Sequence, residues 1–154
     1  FLYYNSGGKI MNPQITMRTY FVNKACFERN EKFRPQPDVP VKMIPEFKRT
    51  VFKVSETQAI VRLEVELADR GEPVPFTLSA AVSGIFDMND WDTSPMLRKL
   101  LADMAATTLY PYLRALVSTV TANASVPPYT LPIINIVGVF NNEMKAVATD
   151  ATLQ

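Results

Sequence analysis

The sequence predicts an α+β domain with segregated elements: a four-stranded antiparallel sheet, a long interrupted helix, an apolar proline-rich connecting loop and a short C-terminal helix. Two observations carry this. Up to Phe86 apolar residues recur at every second position, in runs separated by turn residues; beyond Ser94 they recur every third or fourth. The third observation is size, since 154 residues that are 47% apolar suit one domain with one sizeable core.

The first strand lies within residues 14–28, where Ile15, Met17, Thr19, Phe21, Ala25 and Phe27 are placed on one face and Gln14, Thr16, Arg18, Lys24 and Glu28 on the other. Residues 29–40 are polar and carry Pro35, Pro37 and Pro40, so a loop follows. A second strand starts near Val41. Pro45 cannot donate to a ladder and the apolar phase shifts between Met43, Phe47 and Phe52, which predicts an edge strand or a bulge. In the third strand Ala59, Val61, Leu63, Val65 and Leu67 alternate with Arg62, Glu64 and Glu66. After a turn at residues 69–73, the fourth places Phe76, Leu78, Ala80, Val82 and Phe86 opposite Thr77, Ser79, Ala81 and Ser83.

Asp92-Thr93-Ser94-Pro95 is a helix start, a capping side chain followed by proline at the first helical position. Leu97, Leu100, Leu101 and Met104 form one apolar stripe; Leu109, Leu113, Leu116, Val117 and Val120 form another, and Pro111 between them predicts a kink or a fresh start. Residues 123–125 end the helix. In residues 126–136 Pro127, Pro128 and Pro132 are interleaved with Val126, Tyr129, Leu131, Ile133, Ile134 and Ile136, unusually apolar for a loop. A short helix is expected over about residues 137–147. The expected organisation is a flexible lead-in at 1–13, with Met11 a candidate start, one domain at 14–147 and a tail at 148–154.

Composition excludes several function classes. The net charge of +1 gives no overall field for nucleic acid or an anionic membrane, and no apolar run approaches the roughly 18 residues of a spanning helix. No signal-peptide pattern is seen. The absence of histidine removes the commonest metal ligand and general base. The lone Cys26 cannot form an internal disulfide and has no histidine to activate it, which fits a reducing compartment, the cytoplasm. Asp87, Asn89, Asp90 and Asp92 lack the glycine and terminal glutamate of a calcium loop, and Gly7-Gly8-Lys9 lacks the hydroxyl residue of a phosphate loop. No enzyme, metal or cofactor is therefore expected, and Trp91 is expected to be a packing anchor.

Three stretches in this order resemble the SecB family of export chaperones: Gly84-Ile85-Phe86, Leu109-Tyr110-Pro111-Tyr112-Leu113-Arg114 and Val126-Pro127-Pro128-Tyr129-Thr130-Leu131-Pro132. Weaker echoes are Phe27-Glu28, Val41-Lys42-Met43 and Val61-Arg62-Leu63-Glu64-Val65. The resemblance implies a four-stranded sheet with two helices, a dimer of dimers, and the holding of unfolded or precursor polypeptides without nucleotide. Family members are typically acidic and dock the motor SecA through carboxylates. Here Lys24 replaces one acidic residue, Thr77 and Ser79 stand where the family shows leucine and glutamate, and Glu28 is kept. These departures weaken the implied SecA docking and suit a solitary, phage-linked or toxin-antitoxin-linked relative.

An exposed apolar loop invites a partner, because burying each large aliphatic side chain is worth roughly 1.5–3 kcal/mol. The expected client-binding residues are Val126, Pro127, Pro128, Tyr129, Leu131, Ile133 and Ile134 of the loop, with Val41, Met43 and Phe47 of the irregular strand. Prolines lower the ordering entropy lost on binding, and several grooves on one oligomer add avidity. Leu109, Tyr112, Leu113, Leu116 and Val120 are the expected oligomer interface. Changing Tyr129 and Leu131 together to Ser is expected to leave the fold intact and weaken client retention. Three other readings stand beside this one: the loop is a lid over the domain's own core, the sheet and helix enclose a pocket for a small apolar molecule in a binding protein or an enzyme, or the chain is a structural subunit or adaptor with one fixed partner.

Overall fold

The computed structural model describes residues 14–124 and 126–141, together with short strand segments at Tyr3–Tyr4, Ile10–Met11 and Thr149–Ala151. The sheet is built from β1 (Thr16–Arg29), β2 (Glu46–Ser55), β3 (Gln58–Leu67) and β4 (Phe76–Asp87) in the order β1-β4-β3-β2, with every pair antiparallel. Strands β2, β3 and β4 form a meander, and β1 closes the far side beside β4 after a long connection, a Greek-key order. Helix α1 (Pro95–Asn123) covers one face, and the short α2 (Ile136–Phe140) packs against α1. Residues 142–147 of the expected second helix lie outside the described residues, as do most of the expected lead-in and tail.

The central strands follow their alternation. Ala59, Val61, Leu63, Val65 and Leu67 of β3 and Phe76, Leu78, Ala80, Val82 and Phe86 of β4 are all buried against α1, which contributes Leu101, Ala105, Leu109, Leu113 and Val117. Gly84 permits this approach: a Cβ there would lie 2.6 Å from Phe86 Cε2 and 3.2 Å from Leu109 Cδ2. Trp91 is buried and donates from Nε1 to the Ser55 carbonyl at 3.0 Å.

Strand β1 departs from strict alternation. Its register against β4 shifts between Met17 and Thr19 and again between Val22 and Lys24, and each extra residue turns the following side chains to the opposite face. Between the two bulges Tyr20 lies opposite Gly84 and Val22 opposite Val82, on the helix side, whereas Thr19 and Phe21 lie opposite Ile85 and Ser83, on the outer face. Thr19 and Phe21 are therefore not on the face of Ile15 and Met17. The second bulge restores Ala25 and Phe27 to the helix side, where Phe27 stacks on Phe76.

The second strand starts at Glu46, not near Val41. Pro45 interrupts the ladder, and Val41–Met43 forms a separate short strand paired antiparallel with Thr149–Ala151. As expected, β2 is an edge strand with a register shift, here between Lys53 and Ser55.

Helix α1 is a single element, not the interrupted one that Pro111 predicts. Ser94 caps it by accepting from the Leu97 amide at 3.2 Å, and Pro95 begins it. An interior proline costs about 3 kcal/mol. Leu109, Leu113 and Val117, one turn apart around it and each 0% exposed, together recover more than that at roughly 1.5–3 kcal/mol each. Continuous helix is therefore the cheaper arrangement.

Candidate client-binding surface

The loop after α1 is fastened along the helix that precedes it. Thr121 Oγ1 accepts from the Tyr129 amide at 2.8 Å, Arg114 Nε donates to the Leu131 carbonyl at 2.9 Å, and the Tyr110 hydroxyl donates to the Pro132 carbonyl at 2.6 Å. These bonds satisfy backbone that would otherwise need water, so an apolar loop can lie against the core. Its side chains then alternate. Tyr129 and Leu131 point inward, 4% and 0% exposed, with Tyr129 edge-on to Phe76. Pro127 and Pro128 are exposed, Val126 and Ile134 half-buried, and Ile133 stands 89% exposed.

This placement corrects part of the expected client set. Tyr129, Leu131 and Met43 are core residues with almost no surface to offer, and replacing Tyr129 and Leu131 by serine removes packing instead of sparing the fold. Phe47 is half-buried and meets the Tyr110 ring edge-on at 5.8 Å; Val41 is half-buried. Beside them Val39 and Ile44 are exposed, two residues the sequence reading passed over because they fall in an irregular connection. Of the expected set, the accessible part is thus Val41, Phe47, Val126, Pro127, Pro128, Ile133 and Ile134.

Between the loop and the outer side of α1 lies a pocket of about 250 Å³ lined by Thr107, Pro111, Arg114, Ile133, Ile134 and Ile136. Tyr110 also borders it. Burial pushes its phenol up to about 12, against the opposing charge of Arg114, so the hydroxyl remains a donor at neutral pH.

The expected oligomer residues also divide. Leu109 and Leu113 are 0% exposed inside the protomer and have no surface for a second copy; Leu116 and Val120 are half-buried; Tyr112 is exposed. Tyr112 stacks on Tyr20 with ring centres 4.1 Å apart, and Val22 is half exposed on the same side of β1. Tyr20 and Val22 were missed because reading every second residue steps over them, although three successive apolar residues, Tyr20-Phe21-Val22, were the available sign of a bulge.

On the outer face Cys26, Glu28, Glu66, Thr77 and Ser79 border a second depression of about 260 Å³. Among the described residues no group of histidine, cysteine and carboxylates is arranged to hold a metal ion, and no helix is long and apolar enough to cross a membrane.

The family model described as "Preprotein translocase subunit SecB" matches residues 9–147. The protein-export protein SecB of a Ruegeria species is 26% identical over 145 residues, 89% of this chain and 87% of the relative. An uncharacterized protein of Methanocaldococcus jannaschii, MJ0357, is 40% identical over 68 residues, covering 44% of this chain and 43% of that protein. Among solved structures, the Mycobacterium tuberculosis Rv1957 SecB-like chaperone in complex with a ChAD peptide from the Rv1956 HigA1 antitoxin superposes with a TM-score of 0.64 at 21% identity, over 78% of this chain and 90% of that one. A match across nearly the whole domain, on the same α+β framework, means that this chain belongs to the SecB family.

Proposed function

We propose that this protein is an ATP-independent holdase chaperone of the cytoplasm, not an enzyme, which binds non-native polypeptide on the exposed side of residues 126–136 and the neighbouring irregular strand. Ile133 is the observation that carries this reading. A large aliphatic side chain 89% exposed, on a loop whose neighbours Tyr129 and Leu131 are locked into the core, is apolar surface held out by a rigid mount. Pro127 and Pro128 stiffen the same loop, so little order remains to be lost when a client arrives. Such contacts are nondirectional and accept many sequences.

SecB family membership supports the reading, and the peptide held by the Mycobacterium tuberculosis SecB-like chaperone supports a peptide client, an antitoxin segment among the candidates. Protomers would assemble as a dimer of dimers through Tyr20 and Val22 of β1 with Tyr112 and Leu116 of α1, bringing several client surfaces together. SecA docking is a weaker part of the reading, because Lys24 lies on the outer face, opposite Ala81 in the register, beside the retained Glu28. The small-ligand reading is less favoured, since the layer between sheet and helix is filled by Leu63, Leu101, Leu109 and Leu113, all 0% exposed.

The test is aggregation of several unrelated, chemically unfolded proteins with and without this protein, combined with mass measurement of the complexes. Suppression of aggregation without nucleotide, for clients with no common sequence, is the expected result. Indifference to all unfolded chains, with saturable binding of one small molecule, would overturn it.

A further inference from the structure

The outer face of the sheet, turned away from α1, carries an apolar band that no described helix covers. The strand registers place Thr19, Ile85, Ile60 and Phe52 in one row across all four strands, with Phe21 in the next row. Phe21 and Phe52 are 39% and 41% exposed, and the two isoleucines between them are half-buried. Beside this band stands Arg62, opposite Ser83 on one side and Thr50 on the other. Its guanidinium carbon lies 5.4 Å from the centre of the Phe52 ring, and its Nε is buried without a hydrogen-bond partner, the one such side-chain atom among the described residues. The following row holds Lys24, Glu64 and Lys48, which brings the ionisable groups around Arg62 to three cations and one carboxylate. Among the described residues none of these four is in an ion pair.

We infer that this end of the outer face docks a folded partner protein, through a surface segment in which an aspartate or glutamate sits beside aromatic or aliphatic residues. An enclosed donor left unpaired in the free chain is a cost that an arriving acceptor removes. Turned toward a carboxylate, Arg62 gives Nε the acceptor it lacks and presents Nε and Nη as the parallel donors of a bidentate pair. Phe21, Phe52, Ile60 and Ile85 take the apolar neighbours and weaken the competition from water. Lys24 and Lys48 attract an acidic segment and repel a basic one. The band is small for a second copy of this chain, because two aromatic and two aliphatic side chains offer far less than the roughly 1,200–2,000 Å² that a stable interface buries. A short segment with one charged anchor needs less. The inference does not rest on client binding, since the band lies on the sheet face opposite α1, to which the loop of residues 126–136 is fastened.

The test labels the lone Cys26, exposed one row beyond Lys24 on the same face, with an environment-sensitive dye. Two short synthetic peptides serve as probes, of one leucine- and phenylalanine-rich sequence carrying either Glu or Lys at matching positions. The Glu peptide is expected to shift the dye and to bind about tenfold more tightly than the Lys peptide at low salt, a gap that high salt narrows. Arg62→Met should close most of the gap, and Phe21→Ser with Phe52→Ser should weaken both peptides. Glu28→Gln, at the far end of the face, and Ile133→Ser, on the other side of the sheet, should leave the dye response unchanged. Lys24→Glu, at an exposed position, carries the test if Arg62→Met fails to fold, and is expected to reduce the gap about threefold. Equal binding of the two peptides, a preference for the Lys peptide, or a dye that responds to neither overturns the inference, whether or not unfolded clients are still held. Displacement of the Glu peptide by phosphatidylglycerol vesicles assigns the band to a membrane surface, and a rise in mass that Phe21→Ser with Phe52→Ser abolishes assigns it to a second copy; either result overturns the inference as well.

Discussion

Arg49, on the helix side of β2, donates from Nη1 to Asp103 Oδ1 of α1 at 2.9 Å. Its guanidinium carbon also sits 4.5 Å from the centre of the Phe140 ring, so one side chain links β2, α1 and α2. The two partners are 17% and 18% exposed, well away from the fully wet regime in which ion pairs contribute little. Lys99 gives Asp103 a second partner at 2.5 Å, which limits the loss if Arg49 goes. Arg49→Met is therefore expected to cost about 1–2 kcal/mol, between the exposed and the buried cases, and to lower Tm by about 2–8 °C. Amide exchange in Ile136–Phe140 should quicken more than in α1, since the cation over Phe140 is lost. Equal exchange in both helices would contradict the link.

The position of Gly84 on β4 makes a second prediction. A methyl group there meets Phe86 and Leu109, and neither ring nor isobutyl group can step aside, being 1% and 0% exposed. Gly84→Ala should cost about 1–3 kcal/mol through overpacking, measurable by urea denaturation. A coupled Leu109→Ala change should recover less than its own cavity costs, because the nearest clash is with Phe86.

The loop offers a contrast between adjacent inward and outward positions. Leu131→Ser, at 0% exposure, should cost about 2–5 kcal/mol and lower the yield of folded protein. Ile133→Ser, at 89%, should change stability by no more than about 0.5 kcal/mol while weakening retention of unfolded clients. Measured client affinity that is unchanged by Ile133→Ser in correctly folded protein would remove this residue from the binding surface.

Legibility in the sequence followed coverage. Strands β3 and β4 have neighbours on both edges and a helix on one face, so the inside and outside residues differ in kind and alternation reports them. Strand β1 is an edge with apolar residues on both faces, and its bulges are set by backbone pairing with β4, which no side-chain period records. The proline at 111 was visible, but its outcome depended on how much Leu109 and Leu113 bury against the sheet. The apolar loop was equally plain. Which of its residues turn inward is decided by Thr121, Arg114 and Tyr110, whose bonds to it connect positions 8 to 22 residues apart. Helix-to-loop bonds of this kind leave no local pattern.

Acid should act through two half-buried carboxylates. Asp87 is held below its ordinary value of 3.8 by hydrogen bonds from Arg18 and then Gln58, and Asp92 by Lys53 and then Arg98. A carboxylate with a lower folded than unfolded pKa stabilises the fold above the unfolded value and loses that contribution as pH falls through the folded one. Thermal stability is thus expected to hold down to about pH 4 and to decline below it. Asp92→Asn should lower Tm near neutrality and flatten the decline, and added salt should shrink both effects because the pairs are wet. An unchanged acid limb in the Asp87→Asn, Asp92→Asn double variant would place the acid sensitivity elsewhere.

Self-association should depend on the surface that the β1 bulges create. Tyr20 and Val22 reach the helix side only because the first bulge shifts them there, and Tyr20 then lies flat on Tyr112, leaving the two rings 43% and 37% exposed beside the sheet edge. Aromatic area of this kind next to an edge strand, whose outer backbone has no strand partner among the described residues, is what a second protomer would cover. Tyr20→Ser with Tyr112→Ser should dissociate the proposed oligomer at micromolar concentration, seen as a fall in mass by sedimentation, with the far-ultraviolet spectrum unchanged. Leu116→Ser alone should do so more weakly, as that residue is already half-buried by its own protomer. If clients are held by several surfaces at once, the dissociated variant should still bind a short peptide carrying one apolar segment, yet retain a long unfolded chain at least tenfold less well. Loss of both together would mean that assembly shapes the pocket itself and does more than multiply it.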